Sequence, residues 1–544
     1  MENRFAAPCI NCGELVFEGQ GVSYREKGKW ITSHKFEGCP VKEEPVELNP
    51  FVGMKLDSYQ EAVKDSMLTG ASGPHIMVCA RAGSGKTTVS CYSLWEVLAV
   101  DPSLSIAMFA FGHEDGVRIK EKSPARVDGA TTHSMGLRLL KEAFPGIKVN
   151  HKKTKMLVEE VCEGNEDDEF PKVVKELLSK AKADAVRYGQ LDEIDHLIDS
   201  YDLEVPKVLR REAVQACSRA LRLGMDLEEY GVNFDDMIYL IAVLDIPAPD
   251  YAIVVVDEVQ DYGRSQIIFL SKLIKAGARI VAVGDPNQSL YLFRGARPDS
   301  FYEVRRLLAD SEAGVIDFGM PISYRSSKAI IKYARQWIPE LQWRPNAPEG
   351  DLVLDFPEAS LLDTLKPGDC VISRTRRPLA ELSRQLALAN REFYMRGGDK
   401  ESGWLNWLIG ILSENPDGRT ITVEELLIRL HEWLGVKAGC CSAYRYAEYA
   451  SRSEMITVLA KDAESVEDLK KRIKKLYKEP KDKSGCIILS TIHAAKGSEA
   501  ERIFHVNPEN VPHPLAKTKE QLDQEFNAAY VAITRGITGY YEVV

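Results

Sequence analysis

Ile253 and three consecutive valines, Val254 to Val256, end in two adjacent carboxylates, Asp257 and Glu258, and no other stretch limits the fold of this chain so strongly. A β-branched run with no polar residue on either face reads as a buried strand of a parallel sheet, covered by helices on both sides. A second apolar run, Ile76 to Cys79, leads into Ala80-Arg81-Ala82-Gly83-Ser84-Gly85-Lys86-Thr87 and then into a helix-like segment. Strand, glycine turn and helix in that order predict a phosphate-binding loop. Gly83 and Gly85 let backbone N–H groups turn inward on phosphate oxygens, and the helix starting near Lys86 points its positive end at them. Lys86 reaches the β- and γ-phosphates and the Thr87 hydroxyl ligates Mg²⁺, with Ala82, Ser84 and Thr88 completing the expected nucleotide contacts. The general pattern opens with glycine, where this chain has Ala80. Asp257 is placed to hold the metal, and Glu258 to orient or deprotonate an attacking water. Together the two segments predict a nucleoside triphosphatase.

The 544 residues suit three or four domains at about 150 residues each. Residues 54 to 145 alternate apolar runs with helical patterns, strand signals vanish between 150 and 235, and they return at Ile253 to Asp257 and Ala278 to Asp285. A second α/β region starts near 315, is interrupted at about 400 to 480, and resumes at Cys486 to Thr491. No stretch approaches a membrane span, and no apolar segment follows a basic cluster at the N-terminus, so a cytoplasmic protein is expected, or a nuclear one in a eukaryote. Eleven cysteines are then expected as thiols or metal ligands. A net charge of −11 argues against coating nucleic acid with the whole surface, but permits a basic cleft.

Near the N-terminus, Cys9-Ile10-Asn11-Cys12 is followed after 21 residues by His34 and then Cys39. Four such ligands suit tetrahedral Zn²⁺, and a segment this short gains from a staple because it buries little core. Free thiols are the alternative. Cys440-Cys441 lacks partner spacing and reads as structural.

Further segments fall into an order that resembles the UvrD/Rep-like DNA helicases of superfamily 1A, over residues 49 to 544. Leu56-Asp57-Ser58-Tyr59-Gln60 is similar to the family's adenine-reading motif, which implies that Gln60 uses both amide functions on the base. Ile106 to His113 resembles the first DNA-contacting segment, with Phe111 at the aromatic position, and Ala130 to Ser134 the next, with Thr132 and His133 against the strand. Val283 to Ala296 is the most specific match. It implies that Gln288 senses the γ-phosphate while Phe293, with Tyr291 and Arg294 beside it, meets nucleic acid. Ile322-Ser323-Tyr324-Arg325-Ser326 has Ser323 where the family has Asn; Tyr324 is implied to stack on adenine and Arg325 to reach the γ-phosphate. Ser490 to Glu499 implies DNA contacts for Thr491 and His493 and a ribose contact for Glu499, with Ser498 replacing an apolar residue. Val531 to Arg535 resembles the last motif and implies a second γ-phosphate ligand in Arg535. Glu525-Phe526-Asn527 departs from the basic pair usual before it, so no contact is assigned there.

The resemblance implies an α/β fold of two RecA-like domains: the first from 49–150 and 235–315 with a helical insertion at 151–234, the second from 316–400 and 481–544 with a short insertion at 401–480, behind a zinc-binding-like module at 1–48. It also implies an ATP- and Mg²⁺-dependent 3′-to-5′ helicase or translocase whose partners are single-stranded DNA and single-strand/duplex junctions, not membranes. Two alternatives stay open: an ATPase that strips proteins from single strands without unwinding, and a nucleotide-switched interaction module.

Overall fold

The computed structural model describes residues 48–544, apart from 166–169, 202, 204, 291–298, 416, 440–442, 479, 481, 483 and 484, and four short strands before them. Two units, Met1–Lys55 and Leu56–Val544, separate by their internal contacts. In the first, strand Ala7–Pro8 pairs antiparallel with Leu15–Val16, and Gly21–Glu26 pairs antiparallel with Lys29–His34, joined across by Ser23 Oγ and Thr32 Oγ1 at 2.8 Å. The expected Zn²⁺ ligands Cys9, Cys12 and Cys39, and the side chain of His34, lie outside the described residues. Among the described residues no group of three or more His, Cys, Asp or Glu side chains converges as a metal site, and the zinc reading gains no support.

The second unit is built on two six-stranded sheets whose strands all pair in parallel. The first runs Val315–Met320, His75–Ala80, Arg279–Gly284, Ile253–Val256, Ile106–Ala110, Asp128–Thr131. Every residue of Ile253–Val256 and of its neighbours Ile106–Ala110 and Arg279–Gly284 is buried. That explains the unbroken apolar runs: a central parallel strand is covered on both faces. Arg279 is the polar exception at a strand start, and its guanidinium donates to the carbonyls of Ser66, Gly70 and Pro74 at 3.0, 2.7 and 2.7 Å, which satisfies donors that burial would otherwise orphan. Half of the residues of edge strand Val315–Met320 are exposed, as an edge allows. It pairs with His75–Ala80, so the first sheet reaches Met320, whereas the expected boundary puts residues after 315 in the second lobe.

The second sheet runs Asp351–Phe356, Gly536–Val543, Ala500–Val506, Cys370–Ser373, Ile487–Thr491, Phe393–Met395. Between strands Asp128–Thr131 and Ile253–Val256 the described residues form helices and no strand, apart from a single parallel bridge between Val149 and Val232. Four helices, Gly398–Ser413, Val423–Ala438, Ala443–Ala460 and Val466–Tyr477, fill the interruption of the second sheet. Leu405, Leu426, Met455 and Ile473 from these helices share one apolar cluster with Val371, Leu489 and Phe504 of the sheet. Charge reinforces the joint. Arg374 grips buried Glu525 at 2.7 Å and Glu448 at 3.2 Å, while Arg376 bonds Glu448 at 3.1 Å and Glu401 at 2.8 Å. Burial opposes ionisation of Glu448, but Arg376, Arg374 and Arg452 hold it well below the carboxylate range. The short insertion is therefore continuous with the second lobe's core. Among the described residues no helix is long and apolar enough to cross a membrane.

Candidate active site

Residues that could do chemistry gather where strands of both sheets end and loops begin, the usual place for a ligand in open α/β sheets. After His75–Ala80 the backbone turns through Gly83 at φ 74° and Gly85 at φ 80°, left-handed conformations that favour glycine. Space demands glycine at Gly83 as well, since a Cβ there would lie 2.5 Å from Ser323 Oγ and 2.8 Å from Arg325 Cβ on the opposite lobe. Helix Lys86–Val100 starts from Gly85 with no side-chain cap, so the N–H groups of its first turn face outward as anion donors. Among the described residues the buried hydroxyl of Ser84 has no partner, an orphan that a phosphate oxygen would satisfy. Gln60 spends its amide on the chain itself: Nε2 donates to Ser84 O at 3.1 Å and Oε1 accepts from Asp57 N at 3.2 Å, which braces the loop against helix Ser58–Met67. The expectation that both amide functions face a base therefore requires these bonds to be exchanged.

Two carboxylates follow strand Ile253–Val256. Asp257 Oδ2 accepts from the Thr87 hydroxyl at 2.5 Å, and Glu258 Oε1 pairs with Lys86 Nζ at 2.8 Å while its second oxygen accepts from Gln260 Nε2. Glu258 adopts φ 57°, a conformation that costs a non-glycine residue about 1–3 kcal/mol and persists only where its surroundings over-determine it. Lys86 and Gln260 provide that constraint. Burial and the charge of Glu258 push Asp257 above the usual carboxylate range. Burial pushes Glu258 the same way, but Lys86 and then Lys496 overcome it and hold Glu258 below its ordinary value. Lys86 is the main cause that holds Glu258 low, so transfer of Lys86 to a phosphate would raise the proton affinity of Glu258, the change a proton acceptor needs. A hydroxyl and a carboxylate side by side are also the donor set of Mg²⁺, so Thr87 and Asp257 fit that ion.

The loop after Arg279–Gly284 supplies a hub. Asp285 Oδ1 accepts from Arg81 at 2.8 Å, Oδ2 accepts from Gln288 Nε2 at 2.7 Å and from the Tyr530 hydroxyl at 3.3 Å, and the Asp285 N–H donates to Gln260 Oε1 at 3.1 Å. The second lobe closes on this side. Arg535 Nη2 donates to Gln288 Oε1 at 3.2 Å, Nη1 to Ser498 O at 3.2 Å, and Nε to Val531 O at 3.2 Å. All three acceptors are neutral although Arg535 is 2 % exposed, and burial and the nearby Arg325 lower its pKa. Arg325 pairs with Glu499 at 2.7 Å and donates to Thr534 O at 3.2 Å. Tyr324 N–H donates to Gly83 O at 2.8 Å, and its hydroxyl to Asp57 Oδ2 at 2.6 Å.

Several members of this seam carried no readable signal. Lys496 pairs with buried Asp261 at 2.5 Å, Asn527 Nδ2 donates to the carbonyls of Ser289 and Pro286 at 3.1 and 3.4 Å, and the Tyr530 hydroxyl accepts from Ala82 N at 2.9 Å. Their partners lie 235 to 448 residues away, and spacing along the chain cannot report such pairs. Asn527 fills the place where a departure from the family pattern left no assignment.

The expected strand contacts lie after other strand ends. Phe111 is half-buried at the rim of the first lobe's core. Thr132 is buried and its Oγ1 accepts from Gln266 Nε2 at 3.1 Å, so that hydroxyl serves the fold. His133 stacks on Phe234 with ring centroids 4.0 Å apart, and Phe234 is 59 % exposed. Burial pulls His133 down to about 4, so the stack is of a neutral ring on an open aromatic face. Thr491 Oγ1 caps helix Ile492–Ala495 by accepting from Ala494 N at 3.3 Å. Burial and Arg374 pull His493 down to about 4. Tyr291, Phe293 and Arg294 lie outside the described residues.

Comparison with known proteins bears on this arrangement. The family model for the UvrD/REP helicase N-terminal domain matches residues 61–308, and that for the UvrD-like helicase C-terminal domain matches residues 448–537. The ATP-dependent DNA helicase Rep of Escherichia coli (strain K12) is 27% identical over 301 residues, 48% of this chain and 41% of Rep. The ATP-dependent DNA helicase PcrA of Leuconostoc citreum is 22% identical over 384 residues, 60% of this chain and 48% of PcrA, and that of Bacillus subtilis (strain 168) is 23% identical over 312 residues, 51% and 38%. The matches span less than half the length of each of these relatives.

Proposed function

We propose that this chain, which belongs to the UvrD/Rep-like superfamily 1 helicases, is an ATP-driven motor that moves 3′-to-5′ along single-stranded DNA and separates duplex at junctions. The observation that carries the reading is Arg535, a buried guanidinium that among the described residues bonds only neutral acceptors, held at Gln288 beside a phosphate loop on the opposite lobe. A buried cation without a carboxylate is costly unless an anion arrives. A triphosphate clamped at the seam is that anion.

In this mechanism the first-turn N–H groups and Lys86 hold the β- and γ-phosphates, and Lys86 exchanges Glu258 for phosphate oxygen. Thr87 and Asp257 would hold Mg²⁺, which supplies charge to neutralise phosphate oxygens. Freed from Lys86, Glu258 takes the proton of the attacking water as its oxygen bonds the γ-phosphorus and the bond to the β–γ bridging oxygen breaks, leaving ADP and phosphate. Arg325 and Arg535 stabilise charge on the phosphoryl group in transit, and Gln288 lies between that charge and the Asp285 hub. Because the arginines and Lys86 sit on different lobes, hydrolysis requires closure and release permits opening. His133 and Phe234 on one lobe and Thr491 and His493 on the other then alternate their hold on the strand, with Phe111 and Phe293 exchanging bases, while the buried Thr132 braces the segment that carries His133. Tyr324 moves from Asp57 onto adenine, and Gln60 and Glu499 meet base and ribose. Zn²⁺ at Cys9, Cys12, His34 and Cys39 rests on their spacing alone.

A duplex carrying a 3′ single-stranded tail should be displaced in the presence of ATP and one carrying a 5′ tail should not; the opposite preference overturns the polarity. The insertion merged into the second lobe's core leaves little that is independent to split a duplex, and this favours a second reading, an ATPase that strips proteins from single strands. Turnover with neither tailed duplex displaced, together with release of a protein bound to the single strand, would select that reading.

A further inference from the structure

Arg81 takes no part in the phosphate grip described above, yet its side chain reaches in two directions. Nη1 donates to Asp285 Oδ1 and to Asn287 Oδ1, both at 2.8 Å. Nη2 forms an ion pair with Glu340, on the segment between helix Lys328–Ala334 and strand Gln342–Trp343. The first arm stays within the first lobe, and the second crosses the seam. The arms also differ in their access to water: the Asp285 side chain is 0 % exposed and that of Glu340 is 52 % exposed. An ion pair in the first setting persists, because a buried carboxylate stripped of its partner is costly, whereas a pair in the second is readily exchanged for water. Asp285 in turn accepts from Gln288 Nε2 at 2.7 Å, and Gln288 accepts from Arg535 at 3.2 Å. One planar guanidinium therefore spans from Glu340 on the opposite lobe to Asp285, the carboxylate that holds Gln288, and Gln288 is the side chain that meets Arg535.

We propose that Arg81 is a positioning residue that ties closure of the seam to the setting of Gln288. As the lobes close, Glu340 captures the outer arm and fixes the plane of the guanidinium, and the inner arm then orients Asp285 and through it Gln288. As they open, the outer arm passes to water and the inner pair is left free to rotate. Only a rigid fork serves both carboxylates at once, so lysine is a poor substitute. The inference rests on the reading of the seam as an ATP-hydrolysing cleft, and its test has one readout that needs no nucleotide.

The test compares hydrogen exchange and steady-state ATP turnover of the full chain with those of Glu340→Gln, Arg81→Lys and the double variant. In Glu340→Gln, segment 321–326, which holds the Tyr324 N–H bonded to Gly83 O, should exchange about two- to fivefold faster, the size of a solvent-screened ion pair. Strands Ile253–Val256 and Arg279–Gly284 should keep their protection, KM for ATP should rise by a similar factor, and kcat should fall by a similar factor, because the inner arm alone then orients Asp285 and Gln288 less firmly. Arg81→Lys should speed the same segment and also lower kcat by about tenfold or more, as misplaced positioning groups do. The double variant should match Arg81→Lys. Wild-type exchange and KM in Glu340→Gln, or a double variant whose effects multiply, would overturn the proposal. Faster exchange in the variants of a chain that never turns over ATP would instead remove the hydrolytic reading and leave the Arg81 latch in place.

Discussion

Glu258→Gln will lower DNA-stimulated ATP turnover by about 10²- to 10⁴-fold, the contribution of a positioned proton acceptor, while ATP binding is retained. The amide keeps the size and the bond from Gln260, but cannot accept a proton from water. Two electrostatic consequences follow from the geometry. Loss of the negative charge lets the pKa of Asp257 fall, because that charge is the second cause of its elevation after burial. Lys86 loses its 2.8 Å partner and becomes freer for phosphate. Both changes favour nucleotide binding, so the variant should bind ATP as tightly as the parent or more tightly. Steady-state turnover beside equilibrium binding of a fluorescent ATP analogue separates the two effects. Turnover near the parent level would remove Glu258 from the chemistry, and loss of binding in step with turnover would indicate a damaged loop.

Arg535→Met should abolish turnover without weakening the fold. Removal of an arginine that neutralises a transferring phosphoryl group costs about 10³-fold or more in kcat. The stability effect carries the opposite sign. Among the described residues Arg535 bonds only neutral acceptors, so the folded chain bears the desolvation of that cation without an anion in return. An unbranched apolar side chain of similar length relieves this cost, and replacing buried charge with apolar volume is often neutral or stabilising by about 1–4 kcal/mol. Urea denaturation alongside turnover tests the split. A midpoint well below that of the parent would mean that Arg535 is a structural residue, while inactivity at an unchanged or raised midpoint is the mark of a group kept for its substrate.

The parallel α/β architecture and the phosphate loop were legible because they are local. A β-branched run ending in Asp257-Glu258, and a glycine turn between strand and helix, each carry their meaning within a dozen residues. Contacts across the seam were not. Arg81 reads as an ordinary surface cation until Asp285 and Glu340 are seen 204 and 259 residues further on. Gln60 illustrates a residue whose chemistry was legible and whose partner was not: its amide is bonded to Ser84 and Asp57. Phe234 lies at the end of the helical insertion beside Asp235 and Asp236, in a polar stretch that gave no reason to expect an open ring stacked on His133. The edge strand Val315–Met320 carries one polar side chain, Asp317, and does not read as an exposed edge, so pairing alone assigns it to the first sheet.

Everything proposed for the motor depends on one seam serving nucleotide and polynucleotide together, and steady-state ATP turnover by the full chain, with and without single-stranded DNA, measures that coupling most directly. The predicted result is slow turnover alone, raised about tenfold or more by single-stranded DNA. Absence of turnover under both conditions, or turnover indifferent to the strand, would contradict it.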